Sequence, residues 1–202
     1  MAKPVTKLKS IEDTAIRLFA SKGIKEVTIK DIANEAGCSE GALYRHFIGK
    51  DEMAWALYTR EVEKFGTKLK DVLKEKKDFS EHIKSAVELF YSFFDDDPLT
   101  FSFILLSEHN FPPEKKVNPK LNPYNLVFGF IKERARKEAS NIQDPELSAA
   151  MVLGLVLQPA TLRALGRLKG QMRKKTNQVV QACLRVLKPE HSHLTTKTRE
   201  KR

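Results

Sequence analysis

The residues best placed to do chemistry lie in one short stretch, TIKDIANEAGCSEGALYRHF from Thr28 to Phe47, with Lys50 just beyond it. Hydroxyl, phenol, imidazole and ammonium groups alternate there with small residues. Such a set suits donation to phosphate oxygens and contact with base edges. Thr28, opening a helix with free backbone N–H groups, is expected to make an anion site. Tyr44, His46 and Lys50 are expected to donate to further phosphates. Ser39, Glu40, Gly41 and Ala42 are left to meet the bases, with Gly41 letting the backbone come close. Glu40 either accepts from a cytosine amino group or only caps its helix and repels a wrong phosphate register.

No other cluster has comparable spacing. His82, Glu108 and His109 lack tight metal-ligand spacing, and no metal or cofactor is expected. His191 and His193 lie near the carboxy terminus, and Asp95-Asp96-Asp97 reads as a loop ending in a helix cap. A Gly-rich phosphate loop, a nucleophile elbow and HExxH are all missing from the sequence, so a helical enzyme is the weaker reading. Cys38 and Cys183, the only cysteines, are too far apart in sequence for a ligand pair and suggest a reducing cytoplasm. Cys38 reads as a small packed residue in a turn.

These residues need short helices to hold them. Leu8, Ile11, Ala15, Leu18 and Phe19 form an apolar stripe at helical spacing that Gly23 closes. Thr28 and Asp31 have capping-box spacing before Ile29, Ile32, Ala33 and Ala36. Gly37 breaks that helix, and Ser39 is placed to cap a third one reaching Phe47. Ala33 as a small contact, Gly37 as the turn, and Ile32, Ala36, Cys38, Leu43 and Phe47 as a small core make a helix-turn-helix.

At Thr28, Ile32-Ala33, Ala36-Gly37, Ser39, Gly41, Leu43-Tyr44, His46-Phe47 and Lys50 the sequence resembles the TetR family of bacterial transcriptional regulators. The close resemblance runs from about Leu8 to Leu57. Cys38 stands where valine is more usual, and Glu40 is less usual in the recognition helix. The resemblance implies a homodimer that binds double-stranded DNA at a palindromic operator, usually as a repressor. It also implies a small-molecule effector and an intersubunit four-helix bundle.

The rest of the chain reads as six more helices, giving an all-α fold of about nine. A long one starts after Gly49, and others cover about 80–94, from Asp97-Pro98, 122–139, 144–166 with a kink at Pro159, and 169–187. Residues 1–50 are expected to form the DNA-binding domain and 51–188 a tightly packed effector and dimerisation domain sharing the fourth helix. Residues 189–202 are expected to be a disordered basic tail. Phe65, Phe90, Phe94, Phe101, Phe103 and Phe128, within a wider aromatic cluster, are expected to line a pocket for an apolar or aromatic effector. Trp55 and Tyr58 are placed to couple that pocket to the DNA unit. Leu153, Leu157, Ala164, Val179, Cys183 and Val186 are expected at the dimer interface.

A net charge of +10 and a pI near 9.5 point to a polyanionic partner. The basic residues are dispersed, with runs at Arg173–Lys175 and the tail, which disfavours a membrane- or RNA-binding amphipathic face. Lys3, Lys7 and Lys9 form either a DNA-contacting arm or a solvated one. No stretch of 18 uninterrupted apolar residues occurs and no membrane partner is expected.

Overall fold

The computed structural model describes residues 7–107, 110–137, 142 and 144–187. The expectations for Lys3, Glu108, His109, His191, His193 and the tail lie outside those residues. Among the described residues there are nine α-helices and no strand. They are α1 (Lys7–Lys22), α2 (Ile29–Glu35), α3 (Glu40–Tyr44), α4 (Lys50–Lys74), α5 (Phe79–Asp96), α6 (Pro98–Ser107), α7 (Pro123–Lys137), α8 (Pro145–Ala164) and α9 (Thr176–Leu187).

Local chemistry accounts for the boundaries. The Thr28 hydroxyl accepts from the Asp31 amide while the Asp31 carboxylate accepts from the Thr28 amide, closing the capping box of α2. Gly37 turns the chain at φ +65°, where a side chain would be strained. α3 is shorter than expected: the amides of His46 and Phe47 both turn back onto the Leu43 carbonyl, ending it at Tyr44. Ser39 has extended cap geometry, but its hydroxyl makes no capping bond.

Asp78 caps α5 through a second capping box with Glu81, and Asp144 caps α8 with Pro145 in its first turn. α8 runs on through Pro159 to Ala164. α9 starts at Thr176 and not near Lys169. Gly166 and Gly170 take positive φ there, and the Asp95 carboxylate accepts from the amides of Met172 and Arg173. That tie fixes a turn where periodicity alone suggested more helix.

Two apolar cores result. The first joins Ile11, Ala15, Leu18 and Phe19 of α1 to Ile32, Ala33 and Leu43, and extends through Met53–Val62 of α4 to Phe103 of α6. The second gathers α5, α7, α8 and α9 around Tyr91, Ile131, Val152, Cys183 and Leu187. Arg60 on α4 bonds Glu12 on α1 at 2.7 Å, half-exposed and therefore worth about 0–1 kcal/mol. Burial, not ion pairing, holds the amino-terminal unit to α4. α6 lies between the two cores. Its Phe103 ring is 5.9 Å from Phe19, while Phe101 meets Phe90 at 4.7 Å and Phe94 at 4.9 Å.

Candidate DNA interface and effector cavity

The second and third helices present their polar residues outward over the first core. Thr28, Ser39, Glu40, Gly41, Tyr44 and His46 are exposed, and Lys50 is half-buried. Tyr44 keeps 55% of its surface accessible although it is aromatic, so its phenol is available at the end of α3. Arg45, exposed beside it, was not singled out from the sequence; a cation at the end of the recognition helix is the signal that could have found it.

Two expectations need correction here, those for Ala42 and Thr28. Ala42 is 4% exposed and packs inward with Leu43, because α3 rests that face on the core; it does not stand at a base edge. The amide and hydroxyl of Thr28 are engaged by the Asp31 carboxylate, which sets a negative charge at the helix start where a phosphate was expected. Lys50 Nζ donates to the Lys25 carbonyl at 3.1 Å, so the ammonium is tethered near the start of α2.

Below this unit lies a cavity of about 280 Å³. α4 lines it with Tyr58, Val62, Phe65, Leu69 and Leu73, a stripe about 22 Å long at 1.5 Å per residue. α5 contributes Ile83, Val87 and Phe90, α6 contributes Phe101 and Ile104, and α8 contributes Val152 and Val156. None of the described lining residues is charged. The polar ones are Tyr58, Asn122 and Tyr124, and Tyr124 is 48% exposed, which marks the mouth.

Phe65, Phe90 and Phe101 line the cavity, with Phe93 and Phe130 joining them. Phe94 and Phe103 do not: the first packs in the body core and the second in the amino-terminal core. Phe128 stacks on Tyr124 beside the mouth, 6.4 Å between ring centres, and is not part of the lining.

The expected dimer residues separate likewise. Leu153 and Leu157 line the cavity, and Cys183 is fully buried within the chain. Burial pushes the Cys183 thiol up to about 11. Ala164, Val179 and Val186 are half-buried against the same core. α8 exposes Glu146, Leu147, Ala150, Met151, Gly154 and Gln158, the last five on one helical face, with Leu165 just past its end. By length and composition α8 is apolar enough to cross a bilayer, with Glu146 and Arg163 near its ends as its only charged residues. No group of three or more metal-binding side chains occurs among the described residues. Both His82 ring nitrogens lie against backbone carbonyls, of Asp78 at 2.8 Å and Glu75 at 3.0 Å.

The family model for bacterial regulatory proteins of the tetR family matches residues 11–57, the unit just described with the start of α4. Those residues carry the amino-terminal unit of the tetR family. Proteins that share this unit are helix-turn-helix DNA-binding transcriptional regulators. The chain is 22% identical over 179 residues to the fatty acid metabolism regulator protein of Bacillus subtilis, covering 87% of this chain and 92% of that one. It is 26% identical over 128 residues to the transcriptional activator FasR of Mycolicibacterium smegmatis, covering 62% of this chain and 58% of that one. Its fold matches the crystal structure of FadR from Bacillus subtilis in complex with stearoyl-CoA, with TM-score 0.70 and 20% identity, over 91% of this chain and all of that one.

Proposed function

We propose that the chain acts as a homodimeric repressor, released from a palindromic operator when a long acyl chain fills the cavity. The observation that carries the reading is the cavity itself: apolar, free of charged lining residues and bordered by a stripe of α4 about 22 Å long. A buried carboxylate would lack a partner in such a lining, whereas an uncharged thioester would not. The acyl thioester end of stearoyl-CoA, the ligand in the structural relative's complex, is such an uncharged chain, so a fatty acyl thioester is the favoured effector. This narrows the apolar or aromatic effector expected from the sequence to an extended apolar chain.

Exposed Ser39, Glu40 and Gly41 are assigned to the bases, and Tyr44, Arg45, His46 and Lys50 to phosphates. One unit reads few bases, so two half-sites are needed. The exposed face Leu147–Met151–Gly154–Gln158 on α8 is assigned to the second copy, since an apolar helix face of that kind requires cover. A cytoplasmic location follows from binding chromosomal DNA and a cytoplasmic metabolite.

Selection of bound fragments from genomic DNA, followed by anisotropy titration with and without stearoyl-CoA, tests the reading. Tight binding to a palindrome, falling with salt and lost on adding stearoyl-CoA, is expected. Binding indifferent to sequence or to the acyl thioester would sink it. Because FasR is named an activator, a reporter fused to the selected promoter decides the direction of control.

A further inference from the structure

Residues 110–122 connect α6 to α7 and run along the outside of α4. The contacts along this segment are unusually specific for a connection. Near its start the Phe111 ring lies 5.1 Å from Trp55 and 4.9 Å from Tyr58, and Lys115 Nζ stands 5.5 Å over the Trp55 ring. Val117 packs on the amino-terminal core. In the middle, the Asn118 amide donates to the Glu63 carboxylate at 3.2 Å. Farther on, the Leu121 carbonyl rests directly on α4 at Gly66: a Cβ there would sit 1.8 Å from the oxygen. The next three residues, Asn122, Pro123 and Tyr124, are the mouth of the cavity.

We propose that this segment is a strap that carries filling of the cavity to Trp55 and Tyr58, at the end of α4 nearest the DNA-binding unit. An occupant at the mouth displaces Asn122–Tyr124. The chain behind them is pinned at Gly66 and Glu63, so the displacement is passed along α4 to the rings of Phe111, Trp55 and Tyr58. Gly66 lets the strap lie directly against the α4 backbone, where any side chain would hold it off. Tyr58 belongs at once to the cavity lining and to the amino-terminal core, so a shift of Phe111 against it reaches both. The inference rests on an acyl chain being the occupant only for the choice of probe.

Trp55 is the only tryptophan in the chain, so its fluorescence reports on this contact alone. The experiment uses full-length protein, with stearoyl-CoA binding measured separately by calorimetry. In wild type, bound stearoyl-CoA is expected to shift Trp55 emission and raise its quenching by acrylamide about twofold. Glu63→Ala and Phe111→Ala lie outside the cavity lining. They are expected to bind stearoyl-CoA and DNA within about threefold of wild type, yet to lose at least tenfold of the ligand-induced drop in DNA affinity. Unaltered Trp55 emission in a stearoyl-CoA complex, or full ligand-induced release of DNA by both variants, overturns the strap.

If calorimetry finds no binding, the acyl reading fails and a ligand-free comparison still decides the strap. Glu63→Ala, checked for an unchanged circular dichroism spectrum, should raise acrylamide quenching of Trp55 by loosening Lys115 and Phe111 around it. Quenching equal to wild type counts against the strap regardless of ligand.

Discussion

The amino-terminal unit and the body use apolar residues to opposite ends. In the first, short helices close on a filled core in which Ile32, Leu43, Met53 and Leu57 are all but sealed from water. In the second, a comparable supply of large side chains surrounds a cavity of about 280 Å³ that they do not fill. A recognition surface needs its residues held in one geometry, so every void beneath it would cost precision. A responsive domain needs space that a ligand can occupy. The contrast teaches that packing density, more than composition, separates the reading half from the sensing half.

The largest effect should come from hollowing the filled core. Leu43→Ala removes a fully buried side chain between α3 and the core and should cost about 2–5 kcal/mol, read as a lower urea midpoint and as loss of operator binding. The converse change in the body should be far milder. Ala86→Leu places added atoms in space the cavity already provides, so stability should move by less than about 1.5 kcal/mol in either direction. Ligand affinity should nevertheless fall, by tenfold or more in a calorimetric titration. Equal destabilisation by the two substitutions would erase the comparison.

Titration sharpens it further. Burial raises Tyr91 well above the ordinary phenol value and Cys183 to about 11. Both groups hold their protons longer in the folded chain than in the unfolded one. The stability that Cys183 lends is complete below about pH 9 and is lost as the pH rises through its folded value near 11, while the share of Tyr91 is lost at higher pH. Thermal melts should therefore be flat to pH 9 and fall beyond it, less so in Cys183→Ala. Under native conditions a thiol reagent should modify half-buried Cys38 and spare Cys183. The smallest effect lies in the amino-terminal unit. The Asp31 carboxyl is held below its usual 3.8 by hydrogen bonds from the Thr28 hydroxyl and amide. The fully exposed capping box should support α2 above that pH and release it as the pH falls further, visible as a slight loss of helical circular dichroism that Asp31→Asn abolishes.

What could be read from the sequence follows the same division. Thr28, Asp31, Gly37 and the Ile32–Leu43 core act over a few residues, so their spacing alone specifies the helix-turn-helix. Ala42 was misplaced because α3 proved a turn and a half long, too short for its faces to be told apart by period. In the body, α6 carries Leu99, Phe101, Phe103, Ile104 and Leu105 all round its axis, and α8 is apolar on nearly every side. Neither has a polar stripe to mark its outer surface. Hence the pattern points Phe103 to the cavity, whereas this ring packs in the amino-terminal core, and the pattern does not reveal that Leu153 and Leu157 line the cavity. The close seat of Leu121 on Gly66 involves a backbone oxygen, which no side-chain pattern reveals.

Phe103, seated between Phe19 and Tyr58, also has a meaning in time. The core that shapes the DNA-reading surface is incomplete until a residue sixty positions beyond Leu43 has been synthesised. At about 5–20 residues per second that is a wait of roughly 3–12 s, during which Leu43, Ile32 and Phe19 have only part of their cover. A nascent chain of this protein should stay sensitive to protease, and attractive to chaperones, until α6 emerges and then become resistant in one step.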